Sequence, residues 1–255
     1  MYPMSTVDKL NRAFFTQQFS DELPYAELLN RYKAIACNYV HLENAIAVLS
    51  DLRTNVSYIY YGRFAKALGI ADPLTDHQVA SIWEEDIFNL IHPDDLSEKH
   101  LQELCFFHFI KKQPKKSRAN YYLMSQIRMK TGNTATYMSV WHRMFYISIP
   151  AQDTMWLALC LYSPLPFDLP AQCLIVNSVN GHTSELKPHN NSQILSARER
   201  QILNLVDKGM MSKEIAQLLS ISKHTVSRHR QDILSKLQVK NSIEACRIAK
   251  DLGII

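Results

Sequence analysis

The C-terminal segment of this chain reads LSARER at residues 195–200 and ISKHTVSRH at residues 221–229, and these two runs indicate how it folds. In its first part, Ser196 stands three residues before Glu199 and just ahead of an apolar run. This is the capping-box spacing, in which the hydroxyl and the carboxylate each accept a hydrogen bond from an unpaired backbone N–H. The pattern predicts a helix that begins at Ser196.

Three more helices are predicted to follow this one. Gly209 can end the first helix, because a C-terminal cap often adopts the left-handed conformation that glycine tolerates. Serine residues can cap the next two helices, which we place at Ser212–Leu219 and at Ser222 to about Leu237. Asn241, with Glu244 three residues later, can start a fourth. The C-terminal segment is therefore expected to be an all-α, four-helix domain.

The third helix has two faces of different character. At about 100° per residue, Val226, Ile233 and Leu237 fall on one stripe that must pack on the first two helices. The opposite side presents groups that can pair with base edges, as Arg does with guanine and Gln with adenine. These residues are His224, Ser227, Arg228, Gln231 and Ser235. A solvated amphipathic helix would show the same polarity, so the pattern alone leaves both interpretations open.

Charge separates the two interpretations. From Ser192 onward the chain has eleven Lys and Arg residues against six Asp and Glu, a net charge of +5. The remainder has a net charge of −1, so the whole-chain value of +4 is concentrated in the C-terminal segment. Binding to DNA requires such an excess of cations to neutralise phosphates. The asymmetry favours a nucleic-acid-binding domain.

A family resemblance rests on a set of spaced residues in this segment. They are Ser196-x-x-Glu199, Gly209-x-x-x-Lys213-Glu214-Ile215-Ala216 and Ser222-x-x-Thr225-Val226-x-x-His229-x-x-x-Ile233-x-x-Lys236-Leu237. In these residues the segment 193–255 resembles the LuxR-type (GerE-like) helix-turn-helix. The resemblance implies a sequence-specific DNA-binding transcriptional regulator that binds a palindromic site as a homodimer. RNA polymerase is a further candidate partner of such a regulator.

The resemblance also assigns roles to individual residues. Ser227, Arg228 and Gln231 occupy positions that face bases, and His224 lies on the same side of the helix. Contacts with the phosphate backbone are expected from Lys213, Thr225, Lys223, Arg230 and Lys236. Arg230 lies near the apolar stripe, so it either extends along the helix edge or reaches a phosphate. Ser227 departs from the pattern, because the family usually has Lys at this position.

The fourth helix has two apolar stripes. One consists of Ala245, Ile248, Ala249 and Leu252, and the other contains Ile243 and Cys246. In the family this helix forms the dimer contact, and we assign dimerisation to the first stripe. The alternative is that both stripes are buried in one core.

The preceding part of the chain is predicted to be a mixed α+β domain after an N-terminal helical extension. Residues 6–38 show helical spacing, and Pro93 followed by two aspartates marks the start of a helix that runs to about Lys112. The expected strands are 45–50, 56–60, 120–129, 134–148 and 154–162. We therefore predict a five-stranded antiparallel sheet with flanking helices.

This order of elements resembles a PAS domain over residues 40–165. The residues that carry the resemblance are Ile46–Asp51, Tyr60–Phe64, Leu68-Gly69, Ile91–Asp95 and the turn Lys130–Asn133. The resemblance implies a sensory or dimerising domain with a small molecule as candidate ligand. Four aromatic residues could line its pocket or could equally be core residues: Trp83, Tyr122, Trp141 and Trp156.

No cofactor and no metal site are expected. A flavin-photoreceptor PAS domain needs a reactive Cys where this chain reads YGRFAK at residues 61–66. His100 and His108 could ligate haem, but histidines among phenylalanines more often pack in a core. The five cysteines are scattered and include no C-x-x-C pair.

The segment 166–192 is predicted to be a linker. It is rich in Pro, Asn and Ser, and Asn180-Gly181 is a strong signal for a short hairpin, which we expect beside the PAS-like sheet. The predicted parts are therefore an extension at 1–39, a PAS-like domain at 40–165, this linker, and the DNA-binding domain at 193–255.

Two other classes of protein were weighed. The longest apolar run, Met155–Tyr162, is far below the roughly 18 residues of a membrane span, and no signal segment is recognisable, so a cytoplasmic protein without membrane contact is expected. No glycine-rich phosphate loop or hydrolase motif occurs, so we expect no enzyme. The main rival is a protein-interaction adaptor that has lost DNA binding, for which Ser227 is the best support. A remoter rival is an enzyme whose active site lies in the N-terminal domain.

Overall fold

The structure is a computed structural model that describes residues 5–20, 24–70, 77–132, 136–149, 154–167, 173–186, 195–237, 239, 241–251 and 254–255. Contacts divide the chain into two compact units. One is Leu10–Lys187, and the other is Pro188–Ile255 together with Met1–Lys9. Within the described ranges, no helix is long and apolar enough to cross a membrane.

The larger unit is an α+β structure around one sheet. Its strands are β1 (Ile46–Asp51), β2 (Val56–Tyr61), β3 (His77–Val79), β4 (Tyr121–Lys130), β5 (Tyr137–Ser148), β6 (Met155–Pro164), β7 (Cys173–Asn177) and β8 (Thr183–Glu185). The order across the sheet is β3-β2-β1-β6-β5-β4-β7-β8. Each neighbouring pair is antiparallel.

The prediction of a five-stranded sheet is wrong, because the described sheet has eight strands. Strand β3 pairs with β2 at the edge of the sheet and has only three residues. It is therefore too short to show the alternation of apolar and polar residues by which a strand is predicted. Strands β7 and β8 form the hairpin that was assigned to the linker, and β7 pairs with β4. The sheet thus extends to Glu185, beyond the predicted domain boundary at residue 165.

The helices before and within this unit are α1 (Thr6–Phe15), α2 (Tyr25–Glu43), α3 (Phe64–Ala67), α4 (Glu85–Phe88) and α5 (Pro93–Lys112). A 3-10 helix follows α5 over Lys115–Asn120. The predicted start of α5 is confirmed, with Pro93 in the first turn and Asp94 and Asp95 beside it. Helix α2 runs past the predicted end of the extension at residue 39 and is capped by Asn44 in the left-handed conformation, with φ at 57°.

Helix α5 covers one face of the sheet. Tyr146 of β5 pairs with Ala158 of β6, so the two side chains share a face. The rings of Phe106 and Phe107 in α5 each lie 5.5 Å from the ring of Tyr146. Buried side chains of α5 therefore close the core on this side.

Helix α2 covers the opposite face. Leu157 directly precedes Ala158 in β6, and successive strand residues point to opposite faces. Leu157 and Leu161 belong to one buried cluster with Ala36 and Val40 of α2. Helices thus cover both faces of the central strands.

The C-terminal unit contains four described helices in its Ala197–Asp251 part. They are α6 (Ala197–Asp207), α7 (Ser212–Leu218), α8 (Lys223–Lys236) and α9 (Ser242–Asp251). Helix α8 contacts α6, α7 and α9. Its orientation is therefore fixed from three sides, which determines which of its side chains reach the surface.

Candidate nucleic-acid interface

Helix α6 begins and ends as the sequence predicts. The backbone N–H of Glu199 donates to the Ser196 hydroxyl at 3.2 Å, and that of Ser196 donates to the Glu199 carboxylate at 2.7 Å. Gly209, with φ at +83°, follows the last turn. The capping box and the left-handed glycine are confirmed, and they fix where the turn to α7 begins.

The prediction that Ser212 caps α7 is wrong. The N-cap is Met211, whose N–H donates to the Glu214 carboxylate at 2.7 Å, and Ser212 is the first helical residue. The hydroxyl of Ser212 instead accepts a hydrogen bond from Arg230 at 3.0 Å. A long-range partner thus takes the hydroxyl that the local sequence pattern assigned to the cap.

Helix α8 is fixed by a cap and a buried stripe. The Ser222 hydroxyl accepts from the N–H of Thr225 at 3.0 Å, which confirms the predicted cap. Val226, Ile233 and Leu237 are at most 3% exposed, which confirms the predicted packing face. Because this stripe points inward, the opposite side of α8 must face solvent.

The exposed side of α8 carries all four residues predicted to face bases. They are His224, Ser227, Arg228 and Gln231. Within the part of the chain that the structure describes, none of their side chains takes part in a hydrogen bond or ion pair. The one carboxylate of this helix, that of Asp232, is half-buried and lies within 4.8 Å of polar atoms of Glu199 and His229. This face therefore has donors and a cation but no competing anion.

The five predicted phosphate contacts divide into two groups. Lys213 and Lys223 are exposed and have no ion pair among the described residues. Thr225 is half-buried, and its hydroxyl lies 2.8 Å from that of Ser222 at the start of α8. These three groups remain available at the N-terminal ends of α7 and α8, where the helix dipoles favour an anion.

Arg230 and Lys236 have partners inside the domain. The guanidinium of Arg230 donates to the Ser212 hydroxyl at 3.0 Å and to the Ser242 hydroxyl at 2.9 Å, so it joins α8 to α7 and α9. The ammonium of Lys236 lies 2.7 Å from the Glu199 carboxylate. Burial opposes ionisation of that carboxyl, but hydrogen bonds from Lys236 and Ser196 lower the pKa of Glu199 below its ordinary value. Both cations thus already stabilise the fold.

The residues assigned to dimerisation do not form a surface. Ala245, Ile248 and Ala249 are at most 4% exposed, and Leu252 lies outside the described residues. The assignment is wrong for these three, because α9 uses this stripe to pack on the rest of the domain. On the second stripe, Cys246 is buried and Ile243 is 85% exposed. The apolar surface of α9 is therefore at Ile243.

The four aromatic residues predicted for a pocket lie in separate places. The ring of Trp156 packs against Tyr25 of α2, at 5.1 Å between centroids. Tyr122 and Trp141 belong to a small cluster with residues of β7. The ring of Trp83 lies 5.5 Å from His100 of α5, and burial lowers the pKa of His100 to about 4. The structure does not bring these aromatics together around one pocket.

A buried polar cluster between the sheet and α5 was missed. The Glu84 carboxylate accepts from the hydroxyls of Ser50 at 3.0 Å and Ser57 at 2.5 Å. The Lys99 ammonium donates to the Glu103 carboxylate at 2.5 Å. All five side chains are less than 9% exposed, and burial raises the pKa of Glu84. The one signal in the sequence is the spacing of Lys99 and Glu103, four residues apart on a largely apolar helix.

Comparisons with known proteins concern the C-terminal unit. Residues 193–249 match the family model of bacterial regulatory proteins of the luxR family. The transcriptional regulatory protein DesR of Bacillus subtilis is 49% identical over 59 residues, which are 23% of this chain and 30% of DesR. The uncharacterized response regulatory protein YgeK of Escherichia coli is 42% identical over 60 residues, which are 24% of this chain and 41% of YgeK. This chain therefore spans less than half the length of these relatives.

Among solved structures, a phage VqmA in complex with DPO is similar over 88% of this chain and 91% of its own, with 11% identity and a TM-score of 0.32. At these values the likeness supports no statement about the fold or a ligand of this chain. The identification rests on the family model, on the two relatives and on the helices that those residues form. The C-terminal domain of this chain is a regulatory helix-turn-helix domain of the luxR family.

Proposed function

We propose that this chain is a transcriptional regulator that binds a two-fold DNA site as a homodimer through its luxR-family domain. The observation that carries the proposal is the exposed face of α8, where the side chains of Arg228 and Gln231 have no hydrogen-bonding or ion-pairing partner among the described residues. A helix that follows a short turn and presents such a face suits the major groove. Arg can pair with guanine and Gln with adenine, so these two residues supply base recognition.

Phosphate contacts come from a smaller set than the sequence suggested. Lys213 and Lys223 are exposed cations, and Thr225 lies with them at the start of α8. We assign them to the DNA backbone. Arg230 and Lys236 act within the domain instead, because each already holds a hydrogen-bonding partner from a neighbouring helix.

The homodimer follows from the symmetry of the proposed DNA site. Two copies of α8 must enter successive major grooves, so a contact between domains is needed to set their spacing. The exposed apolar side of α9 at Ile243 is the candidate contact. The sheet domain is PAS-like in this proposal and supplies signal reception or further dimer contacts. The alternative, a protein-interaction adaptor that does not bind DNA, is less favoured, because the C-terminal domain matches a family of regulatory proteins.

Fluorescence anisotropy with labelled DNA tests this function. Binding of the full chain should weaken steeply as salt rises, because counterions are released from the phosphates that the protein neutralises. Arg228→Ala should weaken binding to the target site by about 1–3 kcal/mol and relax its sequence preference, whereas Lys213→Ala should weaken all sites alike and reduce the salt slope by about one.

Lys66→Ala is the matched control. Its side chain is exposed on α3, outside the luxR-family domain. Binding by this variant should equal that of the wild-type chain. Equal affinity of the wild-type chain and Arg228→Ala for every sequence would contradict the assignment of base recognition.

A further inference from the structure

Three buried side chains converge in the interior between the sheet and α5. Glu103 comes from α5, His142 from β5 and Cys160 from β6. A carboxylate oxygen, a ring nitrogen and the sulfur of these residues all lie within 4.8 Å of one another. Their exposed fractions are 5%, 0% and 8%. Carboxylate, imidazole and thiolate are the three ligand types that zinc accepts in proteins.

One ring nitrogen of His142 is free to bind a metal. Its Nδ1 lies 3.0 Å from the hydroxyl of Ser125, and its Nε2 is buried with no hydrogen-bonding partner among the described residues. A buried nitrogen without a partner is destabilising and calls for an explanation. Histidines that ligate a metal commonly use one nitrogen for the metal and hold the other by a hydrogen bond to an oxygen. The contact with Ser125 has this arrangement.

Glu103 is held in a similar way. Lys99 donates to its Oε1, which orients the carboxylate and leaves its second oxygen for another partner. The buried positive charges are then Lys99 and a divalent cation, and the carboxylates of Glu103 and Glu84 together with a thiolate at Cys160 offset them. Lys99 then orients Glu103 through Oε1, while the other carboxylate oxygen of Glu103 binds the metal.

A small cavity lies beside two of the three ligands. Its volume is about 30 Å³, and its lining includes Glu103 and Cys160 together with Lys99 and Glu84, but not His142. One water needs a volume of roughly 10–15 Å³, whereas pockets for organic ligands measure about 300–1,000 Å³. The cavity therefore has room for a water beside the metal, as its fourth ligand, but not for an organic molecule.

We propose that Glu103, His142 and Cys160 form a binding site for Zn²⁺ or a cation of the same class inside the sheet domain. The mixed S, N and O ligand set excludes Mg²⁺ and Ca²⁺ as preferred ions. Tetrahedral zinc holds its ligand atoms roughly 3.5 Å apart, so small side-chain rotations complete the site. Cys160 loses its proton to solvent when the metal binds. The proposal is independent of DNA binding.

A second group of metal-ligating side chains lies in the C-terminal domain. Glu199, His229 and Asp232 offer atoms within 4.8 Å of one another. Both carboxylate oxygens of Glu199 already accept hydrogen bonds from Lys236, whereas Lys99 engages only one oxygen of Glu103, so we assign no metal to this second group. This group contains no sulfur, and that difference distinguishes the two places in an experiment.

Cobalt titration of the full chain tests the site. Protein stripped with a chelator should bind one Co²⁺ per chain, with the intense visible absorption of tetrahedral cobalt and a near-ultraviolet band from sulfur-to-cobalt charge transfer. One equivalent of Zn²⁺ should abolish both bands. Cys160→Ser should lose the charge-transfer band, whereas Cys173→Ser, a matched change at a buried thiol of β7, should keep it.

A second variant, Glu103→Gln, tests the site even if Cys160→Ser does not fold. Glu103→Gln keeps the shape of the side chain but removes its charge, and it should weaken cobalt binding more than about tenfold while circular dichroism shows a folded chain. The absence of a cobalt spectrum in wild-type protein would overturn the proposal. A charge-transfer band that persists in Cys160→Ser, a band lost in Cys173→Ser, or unchanged cobalt affinity in Glu103→Gln would overturn it as well.

Discussion

The exposed face of α8 and the interior beneath α5 differ in whether their cations are paired with a carboxylate. Arg228 is exposed and, among the described residues, has no ion pair. Lys99 is 2% exposed and holds a carboxylate at 2.5 Å. A surface cation that folding leaves unpaired remains available to a ligand. A buried cation is tolerated only with a partner, so it contributes to the stability and shape of the fold.

The largest effect is expected from breaking the buried pair. Lys99→Met in chelator-treated protein leaves Glu103 buried without its cation, so the free energy of unfolding should fall by about 3–5 kcal/mol. Urea denaturation measures this change. The double variant Lys99→Met, Glu103→Leu should recover most of the loss, because the unpaired charge is then absent.

Lys250→Met is the control for that comparison. It breaks an ion pair whose Lys side chain is 52% exposed, so it should change stability by only about 0–1 kcal/mol. If Lys99→Met were as mild as Lys250→Met, the contrast between the two regions would not hold.

The next effect concerns Arg230, a cation that lies between the two extremes. Arg230→Met removes hydrogen bonds to serines of α7 and α9, so we expect a loss of about 2 kcal/mol in urea denaturation. Arg247→Met, at an exposed cation of α9, should stay within about 0.5 kcal/mol. Unchanged stability in Arg230→Met, together with weakened DNA binding, would show instead that Arg230 contacts the phosphate backbone of DNA.

A smaller effect separates two serines of the same helix region. Ser222→Ala removes the cap of α8 and should lower stability by about 1 kcal/mol. Ser227→Ala, at an exposed helical position, should leave stability equal or raise it by roughly 0.5 kcal/mol. Thermal denaturation of the two variants measures the difference. Equal losses in both would mean that the cap does not stabilise α8.

The smallest effect is a pH dependence from Glu199. Its pKa in the folded chain is below the ordinary value of 4.5, so its contribution is present above pH 4.5 and is lost as pH falls toward the folded pKa. Glu199→Gln should therefore lower stability at pH 7 by up to about 1 kcal/mol and by less in acid, since Lys236 is 46% exposed. Urea denaturation of the wild-type chain and of Glu199→Gln, at pH 7 and below pH 4.5, measures how the loss of stability changes with pH. A constant difference across pH would contradict the ion pair.

Local signals in the sequence predicted most of the C-terminal domain. The caps at Ser196 and Ser222 and the turn at Gly209 depend on residues a few positions apart, so they can be read from a single chain. The face of α8 follows from helical periodicity alone. The domain fold and the exposed side of α8 were therefore predictable.

What the sequence did not reveal depends on contacts between distant residues. Two apolar stripes on α9 look alike until packing buries one of them, so Ala249 was assigned to a surface instead of the core. The hairpin of β7 and β8 was predicted beside the sheet, and only the pairing of β7 with β4 makes it part of the sheet. Glu103, His142 and Cys160 are far apart in the chain and follow no ligand spacing, so only the folded sheet brings them together.

Selection of DNA fragments by the purified chain tests base recognition by α8. From random or genomic DNA, the wild-type protein should enrich one two-fold sequence motif. A folded Arg228→Ala, Gln231→Ala variant should enrich none, while Lys66→Ala should enrich the wild-type motif. Enrichment of the same motif by the double variant would contradict the claim that the exposed face of α8 recognises the bases.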